Sequence, residues 1–491
     1  MSPIIIIFII LAYFGCLLWI SWHTSKKATS EDFYAGNKQS LWYVVALGMV
    51  GTSLSGITFV SIPGTIGTAG FSYFQVVIGY FIGYFVVAYV LLPLYYRLNL
   101  TSIYSYLNKR FGINSYKSGA SFFIISRVLG ATLRLYLVIN VLQYFVLEDI
   151  GFKFWHTAVI ILAMILLYTL KGGVKTIVWT DTLQTIFMLT ALIVCICYIL
   201  SYLNLNITET FEKLESENLT LIFESDWLHK KYFLKQILGG AFVTITMTGL
   251  DQEMMQKNIS VRTLKDSQKN MVSFSFILVF VNFMFLVLGG LLYLFAKSKN
   301  LVLPGDDLFP SIALQHLPPV VSLIFIIGLI SALFPSADGA ITALTSSFCI
   351  DILGIRNEGR YSEKEQSKIR MKVHLSFAVV FLLFVFFFKA LGDKSVIDVL
   401  LDIAGYTYGP LLGLFSFGIL TNRSVKDKFV PLICIIAPIF SYLLYLLFKH
   451  FKIEYQFGLE MLIINGTLTF LGLLLVSNPH KSNNINDDQS F

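Results

Sequence analysis

Apolar runs about twenty residues long recur from one end of the chain to the other. As an α-helix, each is long enough to cross the roughly 30 Å hydrocarbon core of a bilayer. Lipid offers no partner to backbone N–H and C=O groups, so such segments are stable only as helices that satisfy themselves. Charge agrees: 13% of the 491 residues are charged and mean hydropathy is +0.74. A soluble domain carries roughly 25% charge. The expected fold class is an all-α polytopic membrane protein.

Thirteen spans are expected, over 3–22, 41–62, 71–95, 118–147, 153–170, 176–201, 234–252, 268–298, 317–350, 372–390, 397–420, 429–449 and 455–476. The longest stretch between them, 202–233, is too short for a separate catalytic domain. The first span stands where a signal peptide would. No basic residue precedes it, however, and its apolar run exceeds the roughly 7–15 residues of a signal core, so it reads as a retained helix.

With the N-terminus outside, the cytoplasmic segments hold 23 Lys and Arg residues and the outer ones 11; Arg127 and Arg134 lie within a span. Positive residues accumulate on the cytoplasmic side. The N-terminus is therefore expected outside and the C-terminus inside, in a multi-pass protein of the cell membrane. The net charge of +7 then belongs to the inner membrane face and not to nucleic acid. Cys195 and Cys197 form CxC, not a metal-type CxxC pair, and the seven histidines form no cluster. The lipid bilayer is the implied surrounding, and nothing in the sequence points to an obligate protein partner.

Four regions interrupt the apolar pattern, and ionisable groups at membrane depth mark function by default. In "LGMVGTSLSGITFVSIPG" (47–64), Gly51, Ser53, Ser55, Gly56 and Thr58 crowd the middle of a span. They weaken the helix and free carbonyls, which a bound cation or close helix packing would satisfy. In "FPSADGA" (334–340), Pro335 removes one helical hydrogen bond, so carbonyls near Ala332 become candidate ligands. Ser336 adds a hydroxyl and Asp338 a charge, a set suited to a hard cation; a kinked helix with Asp338 turned to neighbouring hydroxyls is the alternative. In "GGVKTIVWTDTLQ" (172–184), Asp181 is either a functional carboxylate or a helix cap. In "ISRVLGATLRLYLVINVLQ" (125–143), Arg127 and Arg134 are seven residues apart and share a helix face. Arg127 snorkels or stays near the cytoplasmic end. Arg134 lies nearer mid-span, where a guanidinium suits a carboxylate substrate or a structural pair with Asp181 or Asp402.

The second and ninth spans thus read as discontinuous helices, the best sequence pointer to a secondary transporter's binding site. There is no Walker A pattern for ATP-driven transport and no filter like TVGYG for a potassium-type channel. A membrane-embedded transferase would need paired acid–base residues at a membrane face and a sizeable loop domain. A transporter-like sensor stays open at this level.

Six segments in order carry a resemblance to the sodium:solute symporter family, most of all to its sialic acid transporter branch. They are "SEDFYAGNKQ" (30–39), "TSIYSYLNKRFG" (101–112), "GGVKTIVWTD" (172–181), "TGLDQEMMQKNISVRTLKDSQK" (248–269), "SALFPSADGAITALTSSFCIDIL" (331–353) and "AGYTYGPLLGLF" (404–415). The resemblance covers essentially all the spans. It implies a LeuT-type core of two inverted five-helix repeats, with one extra N-terminal and two extra C-terminal helices. The leading helix would be 3–22, with the first repeat and the start of the second in 41–252. The second repeat would occupy 234–420, peripheral helices 429–476 and a cytoplasmic tail 477–491.

The same resemblance implies a sodium-coupled importer of a small, anionic organic solute such as sialic acid, with sugars, monocarboxylates or amino acids as alternatives. Sodium ligands would be the carbonyls of Gly51, Leu54 and Ala332 and the hydroxyl of Ser336. Where many relatives have two adjacent hydroxyls, this chain has Pro335 then Ser336, so one ligand is lost. A second sodium ion, bringing the total to one or two, would lie between Asp181 and Asp338. Substrate contacts would come from Ser53, Ser55, Thr58, Gln75 and Arg134, with Tyr406 or Tyr408 gating the cavity.

Overall fold

In a computed structural model describing residues 3–25, 39–303, 305–355, 361–392 and 396–479, almost every expected span is a helix. The segment 30–39, apart from Gln39, and the tail from residue 480 lie outside the described residues. Helix α1 is Pro3–Ser25. α2 (Trp42–Ser53) and α3 (Gly56–Ala69) are the two arms of one bent span. α4 (Tyr73–Val86) runs on through a π-helical turn to Arg97. α5 is Ile113–Leu142 and α6 is Phe154–Leu203. α6 has two arms: its backbone leaves helical geometry at Gly173 (φ 54°, ψ −152°), a region that only glycine enters cheaply. The expected loop between the fifth and sixth spans is thereby reduced to a single-residue break.

Outside the apolar core, α7 (Ile207–Ser216) starts on a capping box in which Asn206 and Glu209 satisfy each other's backbone amides. α8 (Phe233–Thr244) and α9 (Gln252–Ile259) form a second bent pair, and α10 is Leu264–Ser298. α11 (Pro319–Ser347) and α12 (Glu363–Leu391) follow. A third bent pair, α13 (Val396–Thr407) and α14 (Gly409–Leu420), precedes α15 (Val430–His450) and α16 (Glu460–Leu475).

Among the described residues, eight helices are long and apolar enough to cross a membrane, and the three bent pairs bring the number to eleven. Two shorter apolar helices, Phe154–Thr169 and Glu460–Leu475, stand at the other two expected positions. The bends are 53° between α2 and α3, 65° between α8 and α9, and 44° between α13 and α14.

This corrects the expectation of discontinuous second and ninth spans. The second is broken, but the ninth, α11, is helical from Pro319 to Ser347 with Pro335 inside it. Neighbouring helices hold a proline-containing transmembrane helix together by packing and by re-satisfying freed backbone groups. α11 packs against α6, α5, α12 and α2, and its stretch from Gly328 to Ser347 is buried throughout. A second break, of 65°, falls before Asp251 in the seventh span.

α1 is fastened to the bundle by polar contacts. Ser21 Oγ donates to Tyr168 O at 2.6 Å, and Thr24 and Thr176 share a hydroxyl contact of 2.6 Å. At the opposite end of the chain, Asp427 caps α5 from a distant loop, accepting from the amides of Asn114 and Ser115 at 2.8 Å. That cap satisfies amides that a helix start leaves without intrahelical partners.

Candidate functional site

The centre of the molecule is built on the two breaks. Ser53, Ser55 and Gly56 are poor helix formers, and α2 stops at Ser53 while Leu54 (φ −85°, ψ 82°) and Ser55 (φ −79°, ψ 178°) turn the chain. The last α2 bond runs from Leu54 N–H to Val50 O at 2.8 Å. The carbonyls of Gly51 to Leu54 lie beyond it, at the electronegative end of the helix dipole. The N-terminus of α3 points the other sign of dipole into the same space. Broken helices at membrane depth supply this pair of opposite ends to ions and anions.

Ser53, Ser55 and Thr58 line a cavity together with Tyr73, Tyr80, Arg127 and Arg134. It measures about 90 Å³. Arg134 is buried in its wall, and among the described residues no carboxylate lies within ion-pair distance of it. Its Nε has no hydrogen-bond partner there either.

Arg127 differs. It forms a close ion pair with Glu253 and approaches Asp251 Oδ2 at 3.6 Å. Both acids sit at the start of α9, where Asp251 caps the helix by accepting from Glu253 N at 2.9 Å and Met254 N at 3.3 Å. One turn later, Lys257 Nζ donates to Asp181 Oδ2 at 2.6 Å and Thr52 Oγ1 at 2.5 Å, and lies 3.4 Å from Glu253 Oε1. Asp181, Lys257, Glu253, Arg127 and Asp251 therefore form a buried chain of alternating charge. Tyr408 closes it, its hydroxyl donating to Asp251 Oδ2 at 3.1 Å. Each member needs its neighbour, because an unpaired buried charge is costly.

The ion-site candidates fall on helices in contact. Gly51 and Leu54 end α2, Ala332 and Ser336 lie in α11, and α2 packs against α11. Ser336 Oγ donates to Leu333 O at 2.9 Å, which leaves its lone pairs for a ligand. Asp338, also buried, accepts from Tyr168 OH at 2.6 Å. Asp181 lies inside the second arm of α6, not at a helix start, so the capping alternative does not hold. Nor does Arg134 pair with Asp181, whose partner is Lys257.

Gln75 is not brought into the cavity. Its Nε2 donates to Ser72 O at 3.0 Å and Lys231 O at 3.3 Å, and its Oε1 accepts from Glu224 N at 3.3 Å. The amide is spent on holding the outer loop, which corrects its assignment as a substrate contact. Tyr406 meets Tyr442 edge to face, with ring centroids 5.8 Å apart, and is not part of the charge chain that Tyr408 joins.

Asp251 falls at the very end of the expected span 234–252, and Glu253 and Lys257 just past it read as loop, because three charges in seven residues end an apolar window. The Glu253–Lys257 spacing of four is the available signal of a helix there. Lys257 is also removed from the set of loop charges that orients the chain.

The sodium:solute symporter family model matches residues 33–427. The sodium/sialic acid symporter SiaT of Proteus mirabilis is 22% identical over 85% of this chain and 84% of its own length. Sodium-coupled monocarboxylate transporter 2 of Bos taurus is 26% identical over 80% of this chain, which spans 64% of that protein. Among solved structures, the substrate-bound outward-open state of a Na+-coupled sialic acid symporter superposes with a TM-score of 0.83 at 20% identity. That match covers 96% of this chain and 97% of the other. The likeness shows the fold, the LeuT-type arrangement of inverted repeats.

Proposed function

The chain belongs to the sodium:solute symporter family, and from that premise we propose that it imports a small carboxylate with sodium by alternating access. A sialic acid is the first candidate, by similarity to SiaT. The observation that carries the anionic reading is Arg134: a buried guanidinium in the cavity wall with no acidic partner among the described residues. An anion bound there would supply the missing counter-charge, and a carboxylate matches the two-pronged geometry of the guanidinium. Ser53, Ser55 and Thr58 would orient the rest of the solute from the α2/α3 break.

The transported sodium ion would be held by the carbonyls of Gly51, Leu54 and Ala332 and by Ser336 Oγ. These ligands belong to two different helices, so an ion between them favours the arrangement in which α2 and α11 lie together. Coupling requires only that this arrangement also bind the solute better. The first repeat would begin at 41 and the second run from 234 to 420, with the N-terminus outside and the C-terminus cytoplasmic.

A second reading, a short monocarboxylate as solute, is favoured by the cavity itself. Its volume of about 90 Å³ is well below the roughly 300–1,000 Å³ of pockets for larger ligands. Uptake of labelled sialic acid and of labelled short monocarboxylates into proteoliposomes, with and without an inward sodium gradient, tests both. Uptake indifferent to sodium sinks the symport reading, and uptake of neutral sugars alone sinks the anionic one.

A further inference from the structure

Asp181 and Asp338 are the residues to which the family resemblance assigns a second sodium ion, yet the side chains around them leave little for it to bind. Asp181 Oδ2 accepts from Lys257 Nζ at 2.6 Å and from Thr52 Oγ1 at 3.0 Å. Asp338 Oδ2 accepts from Tyr168 OH at 2.6 Å, and its Oδ1 from Gly339 N–H at 2.5 Å. Gly339 adds no side-chain oxygen. Of the four carboxylate oxygens, Asp181 Oδ1 alone has no hydrogen-bond partner among the described residues. Hard cations are held by several oxygens at once, and a sodium ion bridging the two aspartates would need one from each. With the Lys257 ammonium already on Asp181 Oδ2 and like charges repelling at such range, the site has its cation before a second sodium ion arrives.

We propose that Lys257 is a tethered counter-cation that stands in for a second mobile sodium ion, so that one sodium ion is carried per transport cycle. The ammonium is 3% exposed, and its three donors have Asp181, Thr52 and Glu253 to meet them. A lysine suits the task because its charge is compact and sits on a flexible stem, closer to an ion than a planar guanidinium is. α9 brings it there: this half-helix touches α2, α6, α10 and α11 at once, so its last turn reaches both halves of the acidic pair's surroundings. Glu253, four residues earlier, is held by Arg127, which fixes α9 to α5 and stops the ammonium from leaving. A charge bound through the backbone neutralises the site in every state of the cycle but is never released. It therefore adds stability without drawing on the sodium gradient.

The inference rests on the sodium-symport reading, and equilibrium binding of radioactive sodium to the purified full-length protein separates the two. Potassium replaces sodium in the competing buffer to hold ionic strength constant. The wild type is expected to bind one sodium ion, Lys257→Arg one, and Lys257→Ala two, a doubling caused by the vacated charge. Two ions on the wild type overturn the proposal, as does a folded Lys257→Ala protein that still binds one. Should Lys257→Ala not fold, the wild-type and Lys257→Arg numbers decide: one ion on both supports the tethered cation and two on either overturns it. A wild type that binds no sodium sinks the symport reading instead.

Discussion

Arg134 sits two helical turns from Arg127 along α5 and shares a cavity wall with it, but the nearby carboxylates Glu253 and Asp251 pair with Arg127 and not with Arg134. Spacing makes the two arginines look alike; their partners separate them. Arg127 is tied into the scaffold, and Arg134 has no acidic partner among the described residues.

Arg134→Ala removes the cation without breaking any internal pair. Charge-assisted hydrogen bonds contribute about 1.5–3 kcal/mol each, so apparent affinity for a carboxylate should fall by roughly ten- to a hundredfold or more. Thermal stability should hold or rise, since an uncompensated buried charge is gone. Initial uptake rates against solute concentration, with Tm measured in parallel, check both halves.

Arg127→Ala is the opposite case. It strands Glu253 and Asp251 in the interior, and breaking a buried pair from one side costs about 3–5 kcal/mol. A clear drop in Tm in detergent is expected. Replacing both members, Arg127→Met with Glu253→Met, should recover part of it; a double variant less stable than either single one would refute the pairing.

Ser336→Ala deletes the one hydroxyl among the proposed sodium ligands while leaving the backbone of α11 in place. The sodium concentration for half-maximal uptake should rise roughly tenfold, equivalent to about 1.4 kcal/mol. Solute affinity at saturating sodium should change little. An unaltered sodium activation curve would remove Ser336 from the site.

Gly51→Ala tests the fit of α2 on α6. A methyl group there runs into Thr185 Oγ1, whose hydroxyl is bonded to Asp181 O at 2.7 Å. Overpacking of this kind costs roughly 1–3 kcal/mol, and the displaced α2 should lose sodium affinity as well. Adding Thr185→Ala opens the space, so the double variant should regain stability that the single one lost, as measured by Tm and sodium-dependent uptake.

Gln75→Ala should leave solute KM unchanged, because its amide faces Ser72, Lys231 and Glu224 and not the cavity. Losing those buried bonds costs about 1–3 kcal/mol locally. The segment around 224–231 should become more susceptible to limited proteolysis. A raised KM with unchanged proteolysis would restore Gln75 to the substrate site.

Much of the candidate site's geometry was legible in the sequence, because polar residues in an apolar span need a cavity or a partner. Ser53, Ser55, Thr58 and Arg134 do line one cavity, and the α2/α3 break falls within the glycine- and serine-rich stretch. Pro335 misled in one respect. A proline predicts a break locally, whereas the contacts α11 makes with α6, α5 and α12 keep the helix whole. Asp251, Glu253 and Lys257 stayed hidden for the reverse reason: charge density marks a segment as solvated, and only packing against four helices shows that it is buried.

What the sequence by itself determined is the material: apolar runs that must be helices in lipid, the weak points where a helix ends, and charges too deep to be idle. Each of these depends on residues close together in the chain, where hydrophobic length and backbone hydrogen bonding are set. Which charge meets which was decided by the tertiary structure alone. Asp181 and Lys257 are 76 residues apart, and Arg127 and Glu253 are 126 apart. Charges in a low-dielectric interior find partners by proximity in space. The same arginine or lysine is paired or left without an acidic partner according to the helix folded against it.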